Sequence, residues 1–201
     1  TDMQTPGGFL AQFFPDAVTM DARERARSVL GAMLGVFITG LLCQQLLGSG
    51  PTMLWLIAPT GASAVLIFAA PASPYAQPWP ALGGNVLSAL AGIVFGKLIA
   101  WPLAAAVLAV GAAIILMLAL RCLHPPGGAV ALGTALGGGA VAHAGWLYPL
   151  SPVGLNTLIL LIAGVAYNRL CGRRYPHGAS AHAKLPAASQ EPGAAIGITH
   201  E

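Results

Sequence analysis

Leu123-His124-Pro125-Pro126-Gly127-Gly128-Ala129-Val130-Ala131-Leu132 sets two prolines and two glycines into sequence that otherwise reads as apolar helix. Proline is tolerated in the first turn of a helix and breaks its interior, so a helix must restart here. The surroundings decide what kind of helix it is. Between Ser28 and Asn168 the chain carries two charged side chains, Lys97 and Arg121, and no carboxylate. A soluble domain draws about 25% of its residues from the charged types. Here the whole chain has 7%, with 56% hydrophobic residues and a mean hydropathy of +0.75. Such a composition cannot build a hydrated surface, and the chain reads as an all-α integral membrane protein.

The missing carboxylates exclude several functions. Paired-carboxylate hydrolysis, Mg²⁺- or Ca²⁺-dependent phosphoryl chemistry and carboxylate proton relays all need acidic groups in the core. Cation selection by acidic rings goes with them. The remaining core charges are positive, so a small inorganic anion is the expected partner. Nucleic acid is not expected, because no basic stripe with interleaved aromatics exists. Cys43, Cys122 and Cys171 lack CxxC or Cys/His ligand spacing, so neither a metal nor a cofactor is expected. An enzyme is not expected either, since His124 beside a hydroxyl would lack an acidic orienter.

Along the chain, residues 1–22 read as a cytoplasmic leader, 23–171 as the transmembrane domain and 172–201 as a polar cytoplasmic tail. Apolar runs cover residues 26–48, 52–70, 82–100, 103–122, 124–144 and 153–170, and about 20 residues cross the hydrocarbon core. Six crossings is the simplest count. The alternative is four spans plus two re-entrant segments, at 52–70 and 124–144. Arg23, Arg25 and Arg27 before the first run, and Arg169, Arg173 and Arg174 after the last, place both termini in the cytoplasm. Trp79 and Trp146 stand as interfacial anchors.

The chain repeats itself. Ala58-Pro59-Thr60-Gly61-Ala62-Ser63-Ala64-Val65-Leu66 matches His124 to Leu132 as a Pro–x–Gly turn opening an apolar helix. Gly92-Ile93-Val94-Phe95-Gly96-Lys97-Leu98 matches Gly164-Val165-Ala166-Tyr167-Asn168-Arg169-Leu170, and Asn85 matches Asn156 with a one-residue slip. Two three-segment repeats would be inverted in the membrane, with broken helices at their interface near the midplane. Backbone freed from helix bonding at that depth must be buried in protein or line a wet cavity.

The candidate site follows from those breaks. The two prolines leave the N–H groups of following residues unpaired, and a helix start with bare N–H groups is an anion site. The candidates are Arg121, His124, Pro125, Pro126, Gly127 and Gly128 in the second half, and Thr60, Gly61, Ala62 and Ser63 in the first. Asn85 joins them, either as a ligand contact or as inter-helix glue. Two helix starts facing each other would make an electropositive pocket without a charged side chain. GxxxG spacings at Gly31/Gly35, Gly92/Gly96 and Gly133/Gly137 suit a homodimer and packing within one chain equally.

Leu123–Leu132, the block Gly61–Asn85 and the basic start of the first run resemble the HPP family of integral membrane proteins, named for its His-Pro-Pro motif. The similarity runs from about Arg23 to Leu170. It implies a transporter-like domain, and some plastid and cyanobacterial members are associated with nitrite transport. By that resemblance His124 to Gly128 are the signature, and Gly61, Ala62, Ser63, Gln77, Pro78, Gly84 and Asn85 the other shared block. Bacterial relatives often continue into CBS-type regulatory domains, for which the tail would be a linker.

Overall fold

The computed structural model describes residues 20–48 and 56–177. Most of the leader, the Ser49-Gly50-Pro51 stop and the tail from residue 178 lie outside the described residues. Among the described residues seven α-helices follow in order: α1 (Ala22–Leu47), α2 (Pro59–Ala64), α3 (Pro78–Leu98), α4 (Pro102–Ala119), α5 (Pro126–Leu136), α6 (Gly139–Ala144) and α7 (Leu155–Leu170). A π-turn at Val65–Ala69 extends α2, and another at Pro149–Gly154 leads into α7. Among the described residues, four helical stretches are long and apolar enough to span a membrane: α1, α3, α4 and Pro149–Leu170. The α5 segment bends by 80° into Gly139–Leu147, and Pro59–Ala69 is a shorter apolar helix. The chain is therefore all-helical among the described residues, with four full spans and two shorter broken elements between them.

Local chemistry sets these boundaries. Asp21 caps α1 by accepting from the Glu24 N–H. α2, α3, α4 and α5 each start at or next to a proline, whose missing N–H costs nothing in a first turn. α3 begins at Pro78, four residues earlier than the run read from sequence, because Pro78 and Pro80 both fit that turn. The π-turn after α2 ends inside the bundle, where side chains take its free carbonyls. Asn168 Nδ2 donates to Ile67 O at 3.1 Å, and the Arg173 guanidinium donates to Phe68 O at 2.8 Å.

The helices are patterned inside-out relative to a soluble bundle. α1 buries Ser28, Gly31, Gly35, Thr39, Gly40 and Cys43, while Leu30, Met33, Phe37 and Leu41 are exposed. α4 buries alanines at 105, 106, 109 and 113 and exposes Leu103, Val107, Ile115 and Leu118. In lipid, apolar side chains gain nothing by facing inward, so small residues line the contacts and allow close approach. At Gly92 a Cβ would fall 2.8 Å from Ala131 O and 2.5 Å from Thr134 Cβ. Only glycine lets α3 and α5 meet there.

Contacts fix the directions. α1 and α7 run antiparallel, with Gly31 beside Tyr167 and Cys43 beside Asn156. α3 and α4 do the same, with Trp79 Nε1 donating to Leu120 O at 3.0 Å and Ser88 beside Met117. α2 runs parallel to α7, with Thr60 beside Asn156 and Ile67 beside Asn168. α5 runs parallel to α3, with Gly84 beside His124 and Gly96 beside Ala135. Exchanging α1, α2 and α3 for α4, α5 and α7 maps this set of pairings onto itself.

The start of α1 and the end of α7 meet at one end of the bundle, where Tyr167 OH donates to Arg27 O and Arg173 pairs with Glu24 at 2.6 Å. Arg121 follows Leu120 at that same end. Lys97 lies at the other end, its Nζ 5.8 Å from the Trp146 ring centre. The tail read as polar is not wholly separate: Tyr175 is buried, and Arg173 nearly so.

Candidate functional site

α2 and α5 pass each other in the interior, and three polar side chains meet where they do. His124, Ser63 and Asn85 are each at most 2% exposed. His124 Nδ1 lies 2.7 Å from Tyr75 O. A carbonyl only accepts, so Nδ1 carries the hydrogen and Nε2 of the neutral ring has a lone pair. Ser63 Oγ stands 2.9 Å from that nitrogen and donates to it. Asn85 Nδ2 donates to Thr157 Oγ1 at 3.0 Å and, at 3.5 Å, to Ser63 Oγ. Thr157 passes its own hydrogen to Val153 O at 2.9 Å. The network thus has one sense, from amide to hydroxyls to imidazole to loop carbonyl. One acceptor is left over: Asn85 Oδ1 is buried without a hydrogen-bond partner.

The second interior amide does different work. Asn156 Oδ1 accepts from the Ile57 N–H at 3.0 Å and from Thr60 Oγ1 at 3.2 Å, and its Nδ2 donates to Cys43 Sγ at 3.2 Å. It ties the entry to α2 onto α7 and α1. A buried backbone N–H outside regular helix must find such a partner.

Helix starts with bare N–H groups are not what the breaks produce. The Gly127 and Gly128 N–H groups donate to His124 O and Pro125 O, and those of Thr60 and Gly61 donate to Ile57 O and Ala58 O. Pro59, Pro125 and Pro126 remove three donors outright, and tight i→i+3 turns satisfy the next ones. Nor do the two starts face each other. The helices are antiparallel neighbours, so Ser63 meets His124 while Ile57 packs with Val130, further along α5. The donors available at the crossing are side chains, not a pair of opposed helix ends.

A cavity of about 390 Å³ lies against the first turn of α2 and the far half of α5, lined by Ile57, Pro59, Val130, Thr134, Gly137 and Tyr148 among others. It reaches the Pro59 turn, and His124 is not in its lining. Thr134 Oγ1 is buried beside it without a hydrogen-bond partner.

The predicted residues divide accordingly. Ser63, Asn85 and His124 come together, with Pro126 and Gly127 buried beneath them. Thr60 belongs to the Asn156 cluster. Gly61, Ala62 and Pro125 are exposed, and Gly128 is half-buried. Arg121 is exposed in a left-handed turn at φ 53°, so it ends α4 rather than joining His124 on a helical face. Sequence reasoning missed Thr157 and the Tyr75 carbonyl, which carry no motif. It also missed Arg173 and Tyr175, which look like solvated tail. Among the described residues no cluster of His, Cys, Asp or Glu could hold a metal ion, and the three cysteines are free.

The profile described as HPP, transmembrane region, matches residues 17–176. A transmembrane protein of Dictyostelium discoideum is 33% identical over 164 residues, covering 79% of this chain and 52% of its own length. A second transmembrane protein of that organism is 37% identical over 126 residues, covering 60% of this chain and 44% of its own. The chain thus spans about half the length of the curated relatives it matches. No solved structure matches it. With the spans and the profile in agreement, the chain is a multi-pass integral membrane protein and belongs to the HPP transmembrane family.

Proposed function

We propose that this domain carries a small inorganic anion, nitrite first among them, across the membrane through the crossing of α2 and α5. One observation carries the reading. Two neutral donors, the Ser63 hydroxyl and the Asn85 amide, converge beside the His124 imidazole at a buried point of a core without carboxylates. An anion in a low-dielectric interior needs N–H and O–H donors and no competing negative charge. In the present arrangement those donors satisfy one another. An arriving anion would draw the Ser63 hydroxyl from Nε2, and a proton on Nε2 would add a third donor and a positive charge.

The exchange symmetry of the pairings supports two inverted three-segment repeats, with six crossings counted as α1, α2 with its π-turn, α3, α4, α5 and α7. The placement of Arg121 at the arginine-rich end and Lys97 opposite agrees with that count. The arginine-rich end then faces the cytoplasm of a bacterial inner membrane. Ser63 and His124 have the spacing of a nucleophile and its base. The ring is oriented by a carbonyl rather than a carboxylate, however, so transport rather than catalysis is the reading adopted.

A membrane sensor or scaffold is the second reading, favoured by the cavity's stopping short of His124. Flux in proteoliposomes separates the two. Nitrite, nitrate, chloride and urea are offered under an imposed potassium diffusion potential. Anion transport predicts nitrite uptake that an inside-positive potential accelerates. Uptake indifferent to potential would point to a neutral solute, and no uptake of any solute to the sensor.

A further inference from the structure

The segment after α7 closes the interior from the arginine-rich end. Tyr175 is 2% exposed although it lies beyond the last span, and it belongs to one buried apolar cluster with Ala64, Ile67, Phe68, Ala81 and Leu160. Ala64, in that cluster, is the chain neighbour of Ser63 at the polar crossing. The phenol donates to Ala76 O at 2.6 Å. Burial holds it well above its ordinary pKa, so it remains a donor. The next residues continue along the same loop, where the His177 N–H donates to Gln77 Oε1 at 2.7 Å. That loop also supplies the Tyr75 carbonyl that orients His124. The tail and the imidazole therefore hold one short segment from opposite sides.

A separate group fastens this strap. Arg173 donates to Phe68 O, Ser28 Oγ and Glu24 O, and pairs with the Glu24 carboxylate at 2.6 Å. Its side chain is 10% exposed, and its Nε is buried without a hydrogen-bond partner. Glu24 lies on the first turn of α1, so the lock joins the two ends of the chain's spans. An ion pair of this kind is strongly destabilised when one partner is removed, because the other charge stays buried.

We infer that residues 173–177 form a gate at the arginine-rich end, with Tyr175 as the plug and the Glu24–Arg173 pair as the latch. The inference rests on the transport reading for its purpose, not for its test. The cavity against the Pro59 turn lies toward the opposite end, away from Tyr175 and Arg173. Releasing the latch would lift the ring out of the Ala64 cluster and loosen the Tyr75 carbonyl from His124 in one movement.

The test measures access rather than flux. Full-length chain with Cys43, Cys122 and Cys171 replaced by alanine carries Ala64→Cys and is reconstituted in vesicles of known sidedness. A membrane-impermeant maleimide is applied from the arginine-rich side. The gate predicts slow labelling, a rise of at least tenfold with Tyr175→Ala, and a rise of at least threefold with Glu24→Gln, which leaves the ring in the chain. Labelling from the opposite side should not rise in either variant, which guards against simple unfolding. If Glu24→Gln leaves labelling unchanged, Tyr175 is only a cover and the gate is overturned. If labelling rises from both sides, the change is unfolding, and the gate is overturned as well. Absence of anion flux would end the transport reading while leaving this result standing.

Discussion

Asn156 and Asn85 each anchor a buried polar cluster, and truncating each to alanine should have different consequences. Both side chains are at most 2% exposed, so both substitutions leave a similar hole. The difference lies in what loses a partner. Without Asn156 Oδ1, the Ile57 N–H and the Thr60 hydroxyl lose the acceptor they share. An orphaned buried donor costs about 1–3 kcal/mol. Inter-helix bonds in membranes average nearer 0.6 kcal/mol, because the unfolded chain also finds partners there. The non-helical approach to α2 argues for the larger figure. Without Asn85, Ser63 still donates to His124 and Thr157 still donates to Val153 O. The buried Oδ1, which has no partner, also disappears. Asn156→Ala should therefore be the more destabilising by about 2 kcal/mol, which corresponds to roughly 4–8 °C in midpoint for a chain of this size. Thermal unfolding of both variants in one detergent measures it. In the flux assay the order reverses, with Asn85→Ala losing transport and Asn156→Ala keeping more of it per folded molecule. Equal midpoints, or a lower one for Asn85→Ala, would refute the division of labour between the two amides.

Other outcomes follow from packing and topology. At Gly84 a Cβ would sit 2.7 Å from His124 Cβ and 2.8 Å from Cys122 O, so Gly84→Ala should cost about 1–3 kcal/mol in the same unfolding assay. Gly111 faces open space in α4, and Gly111→Ala should instead gain about 0.5–1 kcal/mol. Single cysteines at positions 97 and 121 should label from opposite sides of sealed vesicles; labelling from one side would contradict the helix directions. Trp79→Phe removes the hydrogen bond to Leu120 O and should lower stability by about 1 kcal/mol, measured against Trp101→Phe as a control.

The membrane reading was legible from charge positions alone, because a core with only Lys97 and Arg121 admits few other solvents than lipid. The Pro59 and Pro126 breaks were legible for the same steric reason that makes proline a first-turn residue. The turns at Pro59 and Pro126 each open a short helix, and those two helices pass each other in the interior. What failed was hydrogen-bond accounting. Proline was expected to leave bare N–H groups, but a tight turn lets Gly127 and Gly128 reach the carbonyls just behind them. The three-residue spacing of Arg121 and His124 suits one helical face, but the left-handed turn at Arg121 breaks it. Tyr175 and Arg173 were hidden because six residues with two arginines, a glycine and a proline have no apolar period to betray burial. Their partners are mostly backbone carbonyls from distant segments, which no local pattern records.

The most direct test of the account compares nitrite uptake into proteoliposomes by the native sequence and by His124→Ala, at equal folded protein. Saturable uptake that falls at least tenfold in His124→Ala is the predicted result. Uptake no greater than in empty liposomes, or equal in the two proteins, would contradict an anion route through the Ser63–Asn85–His124 crossing.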